Sequence, residues 1–363
     1  MASTFLKRLE WLGKHLLAWV AWGMFYRPGR RRAAAARLRS PRRILLVRPD
    51  NRVGEALLMT PLLATLRSLP GRPQVDVLLH QKVTRVVEGH PDADTVLALN
   101  RRGLALGAWA PGIRALRARG YDVVVNCGNW EAPSVTSALV ARMVGPRAAV
   151  VGPAFGATGA LHDVAVAPRK DTVSELEQRL HLLAPLLPPR WQSETSFRVP
   201  RTGPAVQAML ERLRGRRFAV VNPGGRLGYR CVDATTFAAA ARAISAAGVL
   251  PLVTWGPGEE ALAARVVADA PGAELAPPTT LDELAALMGA GVLTVCNNTG
   301  PMHLSVAVGA PTLALFLFMP IARWGYFRLP HRMLDLTGVA APEARVEEAI
   351  RGLLAPAVIR APG

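Results

Sequence analysis

Cysteine is scarce in this 363-residue chain: Cys127, Cys231 and Cys296 are the whole set, widely spaced and without a CxxC pair. An odd, scattered set supports neither a disulfide framework nor a zinc site, and it fits a reducing cytoplasm. No Walker lysine pattern follows any glycine loop, which sets ATP hydrolysis aside. No DxD motif stands at a plausible strand end, so a carboxylate-held metal is not expected. The uncharged stretch from His15 to Tyr26 is shorter than the roughly 20 residues a bilayer span needs. Short-period repeats are absent, and so are low-complexity tracts beyond an Ala/Arg-rich entry segment. Acidic residues are also few, 26 against 44 Lys and Arg, which leaves a formal charge of +18 and calls for an anionic partner.

What is present is apolar enough to fold. Half the residues are hydrophobic and 19% charged, a profile outside the disordered range, and the length suits two domains. Much of the charge sits at the front, where residues 1–43 carry eleven Lys and Arg against Glu10 alone. There Phe5, Leu9, Leu12, Leu16, Val20 and Met24 recur at helical spacing, Lys7, Arg8 and Lys14 lie mostly off that face, and Trp11, Trp19 and Trp22 can anchor at an interface. The pattern predicts a basic amphipathic helix lying on an anionic leaflet, assisted by the Arg30–Arg32 cluster; packing on the protein's own body is the alternative. The arginines after the apolar run argue against a secretory signal. Basic residues beside an apolar, Trp-containing helix lack the interleaved aromatic platform of nucleic-acid binders, so no nucleic-acid partner is expected.

After Pro41 short aliphatic runs alternate with helical patterns, the mark of parallel-sheet α/β units. Strands are predicted at Ile44–Val47, Val75–Leu79, Thr95–Leu99, Val123–Asn126 and Ala148–Val151. A Pro-rich linker covers Leu186–Arg217. A second series follows at Phe218–Asn222, Val249–Thr254, Val292–Cys296 and Thr312–Phe316, with a last helix at Pro342–Leu354. The expected fold is therefore α/β, two Rossmann-like halves facing across a cleft, with ligands at the carboxyl ends of the strands.

Four loops at such ends carry chemistry. Arg48-Pro49-Asp50-Asn51-Arg52-Val53-Gly54-Glu55 follows the first strand and opens a helix, which Pro61 should kink or break. A carboxylate at a helix start stays ionised, as a proton acceptor must, although Glu55 could equally serve only to stabilise that turn. Asn222-Pro223-Gly224-Gly225-Arg226-Leu227-Gly228-Tyr229-Arg230 offers exposed amides and two arginines for phosphate oxygens, or else a plain turn with solvated arginines. Glu259, in Trp255-Gly256-Pro257-Gly258-Glu259-Glu260, suits ribose hydroxyls or simple helix capping. Asn298-Thr299-Gly300-Pro301-Met302-His303 places Thr299 or Gly300 as the cap of a helix begun by Pro301, leaving amides for an anion; His303 is either structural or part of that site.

Taken in order, these segments resemble glycosyltransferase family 9, the ADP-heptose:lipopolysaccharide heptosyltransferases, over about residues 43–330. The most specific stretch is Asn298-Thr299-Gly300-Pro301-Met302-His303-Leu304, continuing through Gly309-Ala310-Pro311-Thr312 to Ala322-Arg323-Trp324-Gly325. The resemblance implies a GT-B fold and an inverting, metal-independent transfer of a sugar, heptose foremost, from a nucleotide diphosphate-sugar to a lipopolysaccharide-core or related glycolipid acceptor. No cofactor is implied beyond that substrate. The base role falls on Glu55, with Arg48, Asp50 and Arg52 on the acceptor side. Donor binding falls on Gly225, Arg226, Arg230, Glu259, Asn298, Thr299, Gly300 and His303. Domains are expected at 1–40 (membrane-associating), 41–200 (acceptor), 201–340 (donor) and 341–363 (helix and tail), on the cytoplasmic face of the inner membrane. Three departures stand out: Glu55 for the family's Asp, Arg230 for its Lys, and Asn298 for its Asp. They leave a catalytically silent sugar-nucleotide or glycolipid binder as the rival reading.

Overall fold

The computed structural model describes residues 29–99, 111–130, 134–186 and 194–355, together with Gly13, Leu16, Trp19, Val20 and Gly23. Two compact units divide the chain at Glu194 and Thr195.

The first unit is built on six parallel strands: β1 (Arg43–Arg48), β2 (Gln74–His80), β3 (Thr95–Leu99), β4 (Val123–Asn126), β5 (Ala149–Pro153) and β6 (Val164–Val166), in the spatial order β3-β2-β1-β4-β5-β6. The second repeats the plan with β7 (Phe218–Asn222), β8 (Leu250–Val253), β9 (Glu274–Leu275), β10 (Thr294–Asn297), β11 (Thr312–Phe316) and β12 (Arg332–Asp335), in the order β12-β11-β10-β7-β8-β9. Both are doubly wound sheets whose strand order reverses between the first and fourth strands, β1 beside β4 and β7 beside β10.

Composition explains which strands the sequence reveals. β4, β5, β7, β8, β10 and β11 are buried along their whole length, because helices cover both faces of a parallel sheet and the strand reads as a continuous aliphatic run. All nine predicted strands are present, with ends shifted by at most two residues. The three that sequence reading missed, β6, β9 and β12, are short edge strands of mixed exposure. A strand with one bare flank needs no apolar run.

Pro61 breaks its helix as expected: one helix spans Val53–Leu57, another Thr60–Arg67, and Pro61 sits in the first turn of the second, where it has no amide hydrogen to waste. The predicted linker differs from expectation, since Pro204–Arg212 within it forms a helix that buries Val206. Pro204 starts that helix rather than interrupting it. The helix Pro342–Leu354 forms as expected and sets Val346, Ala349, Ile350 and Leu354 into the second core, beside the alanine-rich helix Ala234–Ala246.

The amphipathic N-terminal pattern lies largely outside the described residues; of it, Leu16, Trp19 and Val20 are helical and exposed. In the following helix, Arg30–Arg39, Arg31 and Arg32 are exposed, whereas Arg30 turns inward to Asp163 at 2.7 Å. Among the described residues no helix is long and apolar enough to cross a membrane.

In the first core a polar chain runs inward from Ser137, whose hydroxyl donates to Asn126 Oδ1 at 2.6 Å while Asn126 Nδ2 faces His162 Nε2 at 3.0 Å. The imidazole lies against β5, where a Cβ on Gly152 would come within 2.5 Å of Nε2, so only glycine fits there. Burial pushes His162 down to about 4 from its ordinary 6.5. The unfolded chain therefore takes up this proton first as pH falls. The contribution is complete above about pH 6.5 and is lost on descending toward pH 4, on the order of 3 kcal/mol. Urea unfolding between pH 7 and 4.5 should show that decline, and His162→Gln should flatten it.

Candidate functional site

The reversal point of the first sheet gathers the loops after β1 and β4. Pairing sets Val47 opposite Asn126, and the Cys127 amide extends the ladder to Val47 O at 3.0 Å. Arg48 and the segment Cys127–Trp130 therefore emerge side by side. Trp130 pins that segment by donating its indole N–H to Val166 O at 2.7 Å.

Glu55 sits in the five-residue helix Val53–Leu57, with its side chain only 8% exposed. Its partners are arginines. Arg48 Nη2 approaches Glu55 Oε2 at 2.9 Å, Arg179 Nη2 contacts the same oxygen, and Arg52 Nη1 stands 3.7 Å from Oε1. Arg179 comes from the helix Glu175–His181 and also donates to Asn129 Oδ1 at 2.7 Å and Glu175 Oε1 at 3.0 Å. Arg48 reaches Asn129 Oδ1 as well, at 2.8 Å, and binds the Cys127 carbonyl and Asp50. Asp50 in turn accepts from the Arg52 amide at 3.2 Å.

Charges this deep persist because they are matched. Burial opposes the charge of Arg179, but Glu55 and Glu175 outweigh it and the guanidinium stays protonated. Cys127, beside the cluster, is pushed up to about 11 by burial, although Arg48 and Arg179 pull the other way, so it remains a thiol. Next to the network lies a cavity of about 200 Å³, whose lining includes Arg48, Asp50, Arg52, His80, Asn129, Ser134, Thr136 and Ser137.

The predicted acceptor-side residues thus come together with Glu55. Sequence reading missed Arg179, Glu175 and Asn129. A Glu-x-x-x-Arg pair reads as an ordinary i,i+4 helix salt bridge, and nothing in its spacing reveals a carboxylate 124 residues earlier.

The second unit repeats the construction with β7 and β10. Asn297, fully buried at the end of β10, accepts from the Val232 amide at 2.9 Å and donates to Pro223 O at 2.8 Å. One amide side chain thereby clamps both ends of the glycine loop. A Cβ on Gly224 would collide with the Glu259 carboxylate, and one on Gly225 would meet Cys231 Sγ at 2.5 Å and Thr299 Cγ2 at 2.9 Å. Loops after β7, β8 and β10 therefore converge, bringing Gly224, Gly225, Glu259 and Thr299 into contact distance. Glu259 also accepts from the Gly256 amide at 2.9 Å, which folds its own turn.

Thr299 is the N-cap of the helix Gly300–Ala307, with Pro301 in the first turn, and its side chain makes no cap bond. Asn298 is half-buried, its amide on Leu315 O at 2.9 Å. His303 is buried, with Nδ1 2.7 Å from the Tyr326 hydroxyl. Arg226 is exposed, and the Arg230 guanidinium lies over the Tyr229 ring, 5.2 Å from its centre. Asn297 is the residue sequence reading missed here. Among the described residues no three His, Cys, Asp or Glu side chains form a metal-holding group.

Removing the Asn297 clamp strands the Val232 amide in the interior. Asn297→Ala should lower stability by about 1–3 kcal/mol in urea unfolding.

Comparison with known proteins supplies the context. A family model described as glycosyltransferase family 9 (heptosyltransferase) matches residues 110–332. That span contains the whole site of the second unit, while Glu55 lies ahead of it. Lipopolysaccharide heptosyltransferase 3 of Escherichia coli is 26% identical over 287 residues, covering 72% of this chain and 80% of the relative. A glycosyltransferase family 9 structure from Veillonella parvula aligns with a TM-score of 0.69 at 19% identity, over 81% of this chain and 86% of that one. An E. coli heptosyltransferase with ADP-2-deoxy-2-fluoro heptose aligns with a TM-score of 0.67 at 18% identity, over 85% and 99%.

Proposed function

The chain belongs to glycosyltransferase family 9 (heptosyltransferase) and has its GT-B class of fold, two Rossmann-like units in one chain; on that premise we propose an inverting, metal-independent transfer of heptose from ADP-heptose to a lipopolysaccharide-core or related glycolipid acceptor. The observation that carries this reading is the convergence of Gly224, Gly225, Glu259 and Thr299 at the carboxyl ends of β7, β8 and β10. There a diphosphate finds close backbone approach and the amide end of the helix Gly300–Ala307. Arg226 and Arg230 supply countercharge, and Glu259 faces the ribose. Neutral Asn298 adds no repulsion to the diphosphate. His303, bonded to Tyr326, fixes the segment that begins at Gly300. The donor is named from the nucleotide-heptose held with a solved relative.

On the acceptor side, the cavity lined by Arg48, Asp50 and Arg52 is polar and carries two arginines, which suits a sugar bearing an acidic group. Glu55 takes the proton of an acceptor hydroxyl, and the oxygen attacks the anomeric carbon from the face opposite the leaving group. The new C–O bond forms as the bond to the β-phosphate oxygen breaks. ADP departs with the electron pair, and configuration inverts. Developing charge on ADP is met by the helix terminus and the two arginines, preorganised donors of the kind that dominate such catalysis. No cofactor takes part.

A ligand that favours the folded state raises the melting temperature, so ADP should stabilise the chain in thermal melts, and Arg230→Ala should remove most of that shift. Glu55→Gln should cut turnover at least a hundredfold while ADP binding is retained, and transfer should persist in chelator. ADP binding without transfer or donor hydrolysis in the unaltered chain would identify a silent binder instead.

With a glycolipid acceptor, the reading extends to an enzyme that rests on the inner face of the cytoplasmic membrane through residues 1–40. Exposed Leu16, Trp19 and Val20, with Arg31 and Arg32 close behind, support that role. Deleting residues 1–40 should release the protein from anionic liposomes in sedimentation, and raised salt should weaken binding of the full chain.

A further inference from the structure

We infer that Arg179 is the positioning residue of the Glu55 carboxylate, fixing its orientation for proton abstraction. The inference rests on the reading of Glu55 as the base and adds how that base is held.

Its ground is a two-sided clamp. Arg48 from β1 and Arg179 from the helix Glu175–His181 both meet Glu55 Oε2, and both meet Asn129 Oδ1, at 2.8 and 2.7 Å respectively. The amide oxygen of Asn129 keeps the two guanidinium groups in register, so neither can swing without losing a bond to it. Glutamate has one more rotatable bond than aspartate, and displacements near 1 Å at a reacting group are kinetically expensive. Anchoring one carboxylate oxygen from two elements removes that freedom. Arginine does not lose its proton in the working pH range, so the clamp is a constant field and not a switch.

The surrounding charges set the direction of any change. Glu55 faces Arg48 from β1, Arg52 from the residue ahead of its own helix, and Arg179. Behind these stand Asp50 on Arg48 and Glu175 on Arg179, with the neutral Cys127 thiol below. Glu175 therefore competes with Glu55 for one guanidinium. Removing the arginine and removing its competitor should move Glu55 in opposite directions, a pattern that packing alone does not produce.

The test follows the Glu55 carboxyl directly. The full chain, labelled with ¹³C at glutamate side-chain carboxyls, is titrated by NMR, and the Glu55 resonance is identified by its loss in Glu55→Gln. Arg179→Met should raise the midpoint by about one pH unit or more, Arg179→Lys should hold it near the wild-type value, and Glu175→Gln should lower it. In parallel, with ADP-heptose as donor and deacylated lipopolysaccharide as probe acceptor, Arg179→Met should reduce kcat roughly tenfold or more and move the acid limb of kcat/KM upward. The donor KM should stay within about threefold, and Arg179→Lys should restore part of kcat. A midpoint unmoved in Arg179→Met, or in Glu175→Gln if the first variant fails to fold, overturns the assignment of Arg179. Full transfer by Glu55→Gln overturns the base reading instead, and the two failures are told apart by which measurement reports them.

Discussion

Parallel strands can be joined only by crossovers, and where successive crossovers leave a sheet's first strand in opposite directions, the loops at the carboxyl ends part and leave a crevice. In this chain that constraint operates twice. β1 and β4 part around Arg48, Glu55 and Asn129; β7 and β10 part around the glycine loop and Asn297. Residues with no sequence relation are thereby brought to the same level of the sheet, because strand register fixes what stands beside what. The polar groups that gather there sit at the ends of strands that are buried along all or nearly all of their length.

The two crevices solve the burial of polar groups differently. In the second unit the solution is neutral: Asn297 satisfies an amide and a carbonyl of the loop it holds, and glycines let the neighbouring loops touch. Beside these loops Arg226 is exposed and Arg230 lies over the Tyr229 ring. In the first unit the solution is ionic. Arginines 48 and 179 are buried with Glu55, Glu175 and Asn129, and the set persists because each charge has an opposite partner at hydrogen-bonding distance. Breaking such a set by deleting one member is far more disruptive than its net contribution suggests, since the remaining charges lose their compensation. A carboxylate held in this way has one oxygen anchored from two elements of the unit.

Glu55 shows how a side chain near the start of the chain is held by one far along it. A longer side chain would wander in an open site. Here a helix of the same unit contributes an arginine from 124 positions away. The resemblance read from the sequence pointed to Glu55 as an expectation and offered no partner for it, because Arg179 lies in a helix whose sequence reads as a local salt-bridge pair.

Legibility thus divides along a physical line. Buried central strands such as β1, β4, β7 and β11 were readable because coverage on both faces forces a run of aliphatic residues. Loop motifs were readable because Gly224, Gly225 and Pro301 answer local backbone demands. Edge strands β6, β9 and β12 escaped, since a half-exposed strand of two to four residues is free of such a demand. By itself the sequence determined the two-part α/β plan and the family. Only the tertiary structure decided which side chains hold those loops: Asn297 across the glycine turn, and Arg48, Arg179 and Asn129 around Glu55. Such partners are chosen by proximity in space, and a hydrogen bond between distant positions leaves no period or spacing in the chain.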